Sequence, residues 1–332
     1  MKTILITGVA GLVGSNFSKY LIDKQKYKVI GIDNLSGGYK DYIPKDVIFY
    51  KKNLLDIKSV DNIFKKESPD YVYHFAAYAA EGLSPYIRNF NYSNNVLTSI
   101  NIINSCVNYN IKKLIFTSSM AVYGHGTPPF KERDFPTPDD PYGIAKFTVE
   151  QDIKLANKQF GLKYNIIRPH NIIGINQNIW DKYRNVIGIW IFNVLNNKPI
   201  TIYGDGLQTR AFSDIKYCLP YIEKLINNNY DNYTFNIGAD NFYTIKECAE
   251  IVKSVSNKHG YKPKINFLEK RNEVLNAYCD HSKIKEIMGF EDKTNLQQCI
   301  EEMFIWALKQ PKREIKLMEY EIKKNIYNFW KT

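Results

Sequence analysis

The sequence predicts an α/β fold: a Rossmann-like, doubly wound parallel sheet joined to a smaller C-terminal α/β substrate-binding domain. Three observations carry that expectation. Short β-branched apolar runs alternate with helical patterns through about residue 118. Glycines stand at positions 8, 11 and 14, between the first apolar run and the first helical pattern. An acidic residue, Asp33, closes the second run nineteen residues beyond Gly14.

Composition narrows the class. A chain of 332 residues can build one large core or two modest ones, and 44% hydrophobic with 24% charged residues argues against disorder. The formal charge of +11 raises a nucleic-acid partner, but the lysines are dispersed and their longest runs are pairs such as Lys51-Lys52 and Lys112-Lys113. No nucleic-acid partner is expected. No apolar run approaches the roughly 20 residues a membrane span needs, so no membrane partner is expected either. The five cysteines (Cys106, Cys218, Cys248, Cys279, Cys299) show no CxxC spacing. They suggest neither a metal site nor a disulfide framework, and with no signal-peptide pattern at the start they point to a reduced, cytoplasmic location.

The elements follow in order. Lys2 to Thr7 reads as a strand, and Leu12 and Val13 open a helical pattern through Phe17, Tyr20 and Leu21. Glycines at this junction let backbone amides approach a pyrophosphate at the positive end of the helix. Tyr27 to Ile32 is the second strand. Asp33 after it suits a ribose 2′-hydroxyl and repels a 2′-phosphate, so NAD is the expected cofactor rather than NADP. A strand from Val47 to Tyr50, a helix from Ile57 to Lys66 and a buried strand from Tyr71 to Phe75 continue the alternation. His74 in that strand reads as a satisfied core residue. A helical pattern spans about 91 to 109, and Leu114 to Ser118 is another strand.

Tyr142 and Lys146 then fall four apart on a helix entered at Pro141, which puts both on one face. An ammonium beside a phenol favours the phenolate and lowers its pKa from about 10 toward neutrality. Such a tyrosine can take a proton from a sugar hydroxyl. The plain alternative is a solvated helix face.

Taken with Thr117-Ser118-Ser119-Met120-Ala121-Val122-Tyr123-Gly124, the chain resembles the extended short-chain dehydrogenase/reductase superfamily, most closely the UDP-glucose 4-epimerase family. The resemblance spans about residues 1–310. It includes Asp33-Asn34-Leu35-Ser36, His74-Phe75-Ala76-Ala77, Asn94-Asn95-Val96, Arg168-Pro169-His170-Asn171, and Tyr203-Gly204-Asp205-Gly206 with Gln208 and Arg210. It implies Ser119, Tyr142 and Lys146 as the catalytic group. The implied cofactor contacts are Gly8, Gly11, Leu12, Val13, Gly14, Asp33, Asn34, Leu55, Asp56, Phe75, Ala76, Ala77, Asn95, Thr117, Pro169, Tyr142 and Lys146, with Asp56 at the adenine. Ser119, Asn171, Arg210 and Arg271 would hold a nucleotide-diphospho-sugar, the two arginines on its diphosphate. A homodimer through the patterns at about 91–109 and 142–160 is also implied.

The neighbours of Ser119 limit the chemistry. Where the resemblance places an Asp-Glu pair for 4,6-dehydration, this chain has Met120 and Ala121, which exchange no protons. The expected reaction is 4-epimerisation by transient oxidation at the sugar C4. A C4 dehydrogenase that releases the ketone and a non-catalytic NAD-binding regulator are the rival readings. Two stretches depart from the family pattern, Tyr78 to Pro85 and Asn176 to Asn185 with Asn178, Lys182 and Arg184 as candidate contacts, and the tail from Gln310 extends past the usual family end, expected as a helix packed on the surface or on a partner. Ala277, near the expected sugar C2 position, leaves room for an N-acetyl group. The NAD-binding domain is expected over 1–175 with a return near 203–238, and the substrate-binding domain over most of 176–332.

Overall fold

A β-branched run buried on both faces makes the first strand, β1 (Lys2–Thr7), in which Ile4, Leu5 and Ile6 are fully buried. A computed structural model of the protein describes residues 1–271, 273–315 and 317–330. Beside β1 lie β2 (Tyr27–Asp33), β3 (Ile48–Lys51), β4 (Tyr71–His74), β5 (Lys113–Thr117), β6 (Tyr164–Pro169) and β7 (Tyr233–Ile237). They form a seven-stranded parallel sheet in the order β7-β6-β5-β4-β1-β2-β3. The chain runs outward from β1 to β3, then crosses to β4 on the other side of β1. That reversal leaves a crevice at the carboxyl ends of β1 and β4.

Both faces of the sheet are covered. On one, α1 (Leu12–Asp23), α7 (Ile215–Lys224) and α9 (Ser282–Met288) place Phe17, Ile222 and Ile284 against β1 and β7. On the other, α2 (Ile57–Glu67), α4 (Thr98–Asn108) and α5 (Pro141–Phe160) pack Phe64, Ile102 and Ile153 against β2, β4 and β5. Each such side chain gains about 1.5–3 kcal/mol by leaving water. A second core joins α6 (Val186–Leu195), α8 (Ile245–Lys258) and α10 (Leu296–Leu308) around Trp190, Phe212 and Phe304, over the parallel strand pair Ile200–Tyr203 and Ile265–Leu268. Residues 215–237 return to the first core, and so do 284–290, which the sequence-based division placed with the second. Among the described residues no helix is long and apolar enough to cross a membrane.

The helical pattern expected at about 91–109 is an unbroken helical run, α3 (Arg88–Tyr92) passing through a wider π turn over Ser93–Leu97 into α4. The tail after Gln310, expected as a helix, forms none beyond a single 3₁₀ turn at Asn328–Trp330 among the described residues. Instead Ile326 and Trp330 bury themselves against Tyr78, Leu83, Ile87 and Tyr183, a fourth apolar cluster. Its aromatic anchors favour an irregular path that follows the shape of the surface beneath.

Candidate active site

The crevice at the strand ends opens into a cleft of about 1010 Å³. Its floor is the glycine turn. Gly8 has φ +71, and a Cβ there would lie 2.8 Å from the Ala76 backbone; a Cβ at Gly14 would lie 2.2 Å from the Gly8 carbonyl oxygen. Only glycine lets α1 and β4 close on the turn this tightly. The helix that follows starts at Gly11 with no side-chain cap. By contrast α2, α5, α6, α7, α8 and α10 are capped by Asp56, Asp140, Asn185, Asp214, Thr244 and Asn295. The first-turn amides of α1 are therefore open to an anion at the cleft floor.

Asp33 stands at the end of β2 with its carboxylate held by the amides of Ala10 (3.0 Å) and Leu35 (2.7 Å). Burial raises its pKa, while those two hydrogen bonds and the Arg184 charge pull it back. Leu12, Val13, Asn34, Phe75, Ala76, Ala77, Thr117 and Pro169 line the same cleft. A buried chain of bonds fixes the Ala76 end: the Ala76 amide donates to Thr7 Oγ1 (3.2 Å), Thr7 Oγ1 meets His74 Nδ1 (2.6 Å), and His74 Nε2 meets Ser99 Oγ (2.8 Å). Burial drives the His74 pKa down to about 3, so it stays neutral. It is a structural residue.

Three expected cofactor contacts lie elsewhere. Asp56 is the cap of α2, its carboxylate taking the Ser59 amide (3.1 Å) and hydroxyl (2.5 Å), and neither it nor the exposed Leu55 lines the cleft. A short acidic side chain at a helix start satisfies its own backbone first. Asn95 is buried and off the cleft, donating to the Tyr78 carbonyl (3.2 Å) and accepting from the Tyr78 amide (2.9 Å). It positions the loop at Tyr78; Asn94 from the same wide turn and Thr98 at the start of α4 reach the cleft instead.

On the opposite wall α5 carries the reactive pair. Asp140 caps it, accepting from the Tyr142 (2.8 Å) and Gly143 (3.0 Å) amides, and Ser84 Oγ lies 3.2 Å from the Tyr142 amide. Tyr142 and Lys146 are buried on one face and both line the cleft with Ser119. The Lys146 ammonium donates to the Thr117 carbonyl (2.7 Å) and sits over the Phe116 and Tyr142 rings. The expected lowering of Tyr142 by Lys146 is not what these groups produce. Burial pushes the phenol above its ordinary value, Glu81 and Asp140 add to the rise, and a hydrogen bond with Ser119 and the more distant Arg184 charge oppose it. Lys146 itself is pushed down to about 7 by burial, against Glu150. With its own pKa brought down to about 7, Lys146 offers the phenol only part of a positive charge near neutrality, too little to offset the burial of Tyr142.

Below this pair, Arg168 donates twice to Glu150 (2.9 and 2.6 Å), and the Ser118 hydroxyl donates to the same carboxylate (2.5 Å). Glu81, which the sequence did not flag, faces the cleft beside Asp140. Glu81 is exposed at the cleft mouth, where partial loss of water and then the Asp140 charge pull its pKa upward toward about 7.

Asn171, Arg210 and Arg271 line the far wall. Arg210 donates to the carbonyls of Thr209 (2.8 Å), Leu275 (3.1 Å) and Val274 (2.7 Å), and to Glu273 (3.1 Å). Arg271 lies 4.0 Å from the same Glu273 oxygen and stacks on Tyr203. Asn272 between them lies outside the described residues. Ala277 lines the cleft, as do Asn178 and Arg184, while Lys182 does not.

An α/β dinucleotide-binding enzyme is the class this arrangement defines: an open helix start, a carboxylate at the end of β2 and a buried tyrosine in one cleft. The family model described as the NAD dependent epimerase/dehydratase family matches residues 4–238, and the chain belongs to that family. Its cofactor is NAD. The UDP-glucose 4-epimerase of Halalkalibacterium halodurans is 28% identical over 327 residues, covering 93% of this chain and 96% of that protein. Among solved structures, a UDP-glucose 4-epimerase with UDP-glucose from Thermotoga maritima superposes with a TM-score of 0.86 at 28% identity, covering 92% of this chain and 99% of that one. A UDP-N-acetylglucosamine 4-epimerase from Methanobrevibacter ruminantium M1, in complex with UDP-N-acetylmuramic acid, gives 0.84 at 30% identity, covering 92% and 98%.

Proposed function

We propose that the chain is an NAD-dependent nucleotide-diphospho-sugar 4-epimerase acting on UDP-glucose-type sugars and their N-acetyl forms, with Tyr142 as the base. The observation that carries this reading is the shared cleft: the glycine turn, Ser119, Tyr142, Lys146 and Arg210 all line it, with Met120 and Ala121 beside them. Asp33 would hold the adenosine ribose, and the open amides of α1 the pyrophosphate. When bound, NAD would supply the hydride acceptor and, oxidised, a positive charge to add to that of Lys146 beside the phenol. Ser119 orients the sugar C4 hydroxyl, Tyr142 takes its proton, and Lys146 holds the nicotinamide ribose. Arg210 and Arg271 grip the diphosphate, which replaces Glu273 as their anion.

Met120 and Ala121 offer no proton to a sugar, so removing and returning one hydride at C4 is the chemistry these neighbours favour. Ala277, a methyl side chain at the cleft, supports room for an N-acetyl group, and the similarity to a UDP-N-acetylglucosamine 4-epimerase agrees with that. We also propose a homodimer: Leu97, Ile144 and Leu155 are exposed apolar side chains on the α4–α5 side.

The test is incubation of the NAD-loaded protein with UDP-glucose, UDP-galactose and UDP-N-acetylglucosamine, read by proton NMR and absorbance at the NADH band. The C4 epimer should accumulate without net NADH. Stoichiometric NADH with a free keto-sugar would instead make the protein a dehydrogenase.

A further inference from the structure

The two stretches that depart from the family pattern in sequence lie together in space with the tail. Tyr78 and Leu83 from the first, Tyr183 from the second, and Ile326 and Trp330 from the tail share one buried cluster. The contact is specific rather than draped. The Glu321 carboxylate accepts from the Asn89 (2.7 Å) and Phe90 (2.8 Å) amides at the start of α3, and the Tyr86 carbonyl accepts from the Glu321 amide (2.9 Å). Tyr86 donates its hydroxyl to the Asn325 carbonyl (2.9 Å), while the Tyr320 hydroxyl meets that of Tyr183 (2.7 Å) and donates to the Trp330 carbonyl (2.9 Å).

The end of the tail spans the cleft from wall to wall. The Trp330 ring lies 5.7 Å from Tyr86 and 5.4 Å from Tyr183, and a Cβ on Gly82 would be 3.9 Å from it. Ser84, in the same turn as Gly82 and Tyr86, bonds the Tyr142 amide. On the other wall, Phe329 lies 4.4 Å from Tyr203 and 5.9 Å from the Arg271 guanidinium. The tail thus covers the interval from Tyr142 to Arg271, and Asn325, Tyr327 and Trp330 line the cleft itself. Rings fixed along a cleft give a flat apolar face with polar edges, suited to the C–H face of a pyranose. The Thermotoga maritima structure is matched over 99% of its length by 92% of this chain, so this chain carries residues with no counterpart there.

We propose that residues 318–330 are part of the substrate site and set its specificity: Tyr327 and Trp330 form the outer wall that holds the glycosyl end of a nucleotide-diphospho-sugar over Tyr142, with Phe329 closing the wall at Arg271. This inference rests on the nucleotide-sugar reading above. The wall is built before substrate arrives, because its partners Glu321, Tyr86 and Tyr183 order it without a ligand.

The experiment compares the full NAD-loaded chain with Trp330→Ala, Glu321→Gln and a chain ending at Leu317, by calorimetric binding of UDP-, dTDP-, GDP- and CDP-glucose and of the matching nucleoside diphosphates. Trp330→Ala should weaken the preferred nucleotide-glucose at least tenfold and its nucleoside diphosphate less than twofold. Glu321→Gln, whose side chain bonds the Asn89 and Phe90 amides outside the cleft, should weaken the nucleotide-glucose about threefold by loosening the tail. NAD content should stay equal in all four proteins, measured by release on denaturation. Equal affinity of full and altered chains for the nucleotide-glucose overturns the inference alone, as does loss of NAD on shortening. A full chain that binds none of the four nucleotide-glucoses overturns the nucleotide-sugar reading and this inference together.

Discussion

Glu273 Oε2 lies 3.1 Å from Arg210 Nη2, so the guanidinium offered to a substrate anion already holds an internal one. Arg271 shares the same oxygen at 4.0 Å. Any diphosphate entering must displace this carboxylate. Glu273→Gln removes the competing charge while keeping a hydrogen-bond acceptor for Gln208, which donates to Glu273 at 3.1 Å. UDP should bind the variant about three- to tenfold more tightly, about 1 kcal/mol, measured by calorimetry at low salt. Weaker binding would mean that Glu273 holds the arginines in their productive pose.

Tyr142→Phe deletes the phenol without disturbing Lys146, whose bond is to the Thr117 carbonyl. Turnover should fall by about 10²- to 10⁴-fold, the range for a lost general base. NAD content, measured after denaturation, should stay unchanged. Persistent turnover would move the base elsewhere, with Glu81 the nearest other candidate.

Lys146 ties proton release to folding. Its folded-state pKa of about 7 lies below the model value of 10.5, so the unfolded chain binds more protons between these values. Its contribution to stability is present above about 10.5 and lost as pH falls through 7. Lys146→Met should therefore raise the melting temperature relative to the parent chain at pH 6, and the gap should close by pH 10. A gap that does not change with pH would show that the ammonium is not desolvated.

Glu81 acts in the opposite sense. Its pKa is raised to about 7 from 4.5, so the native state holds the proton more firmly. That contribution is present below about 4.5 and lost as pH climbs through 7. Glu81→Gln should match the parent chain at pH 4 and melt about 2 °C higher at pH 8, read by calorimetry.

The parts legible in the sequence are those set by local chemistry. The alternation around β1, the glycines at 8, 11 and 14 and Asp33 at a strand end all follow from neighbouring residues. Asp56, which the resemblance places at the adenine, is engaged locally instead, because Ser59 three residues on takes its carboxylate. Less legible were contacts that only the fold creates. Glu273 beside Arg210, Asn95 behind Tyr78 and Trp330 beside Gly82 join residues far apart in the chain, and no periodicity or spacing encodes them. The effect of Lys146 on Tyr142 failed similarly, because helix spacing gives the shared face and not the carbonyl that the ammonium chooses.

The Arg168–Glu150 pair under α5 bears on which wall of the cleft can yield. Rolling or sliding α5 would strand a guanidinium and a carboxylate in a dry interior, at a cost of about 3–5 kcal/mol. The side that carries Tyr142 behaves as an anvil. Any opening of the proposed sugar site would therefore have to come from the walls that face α5 and not from α5 itself.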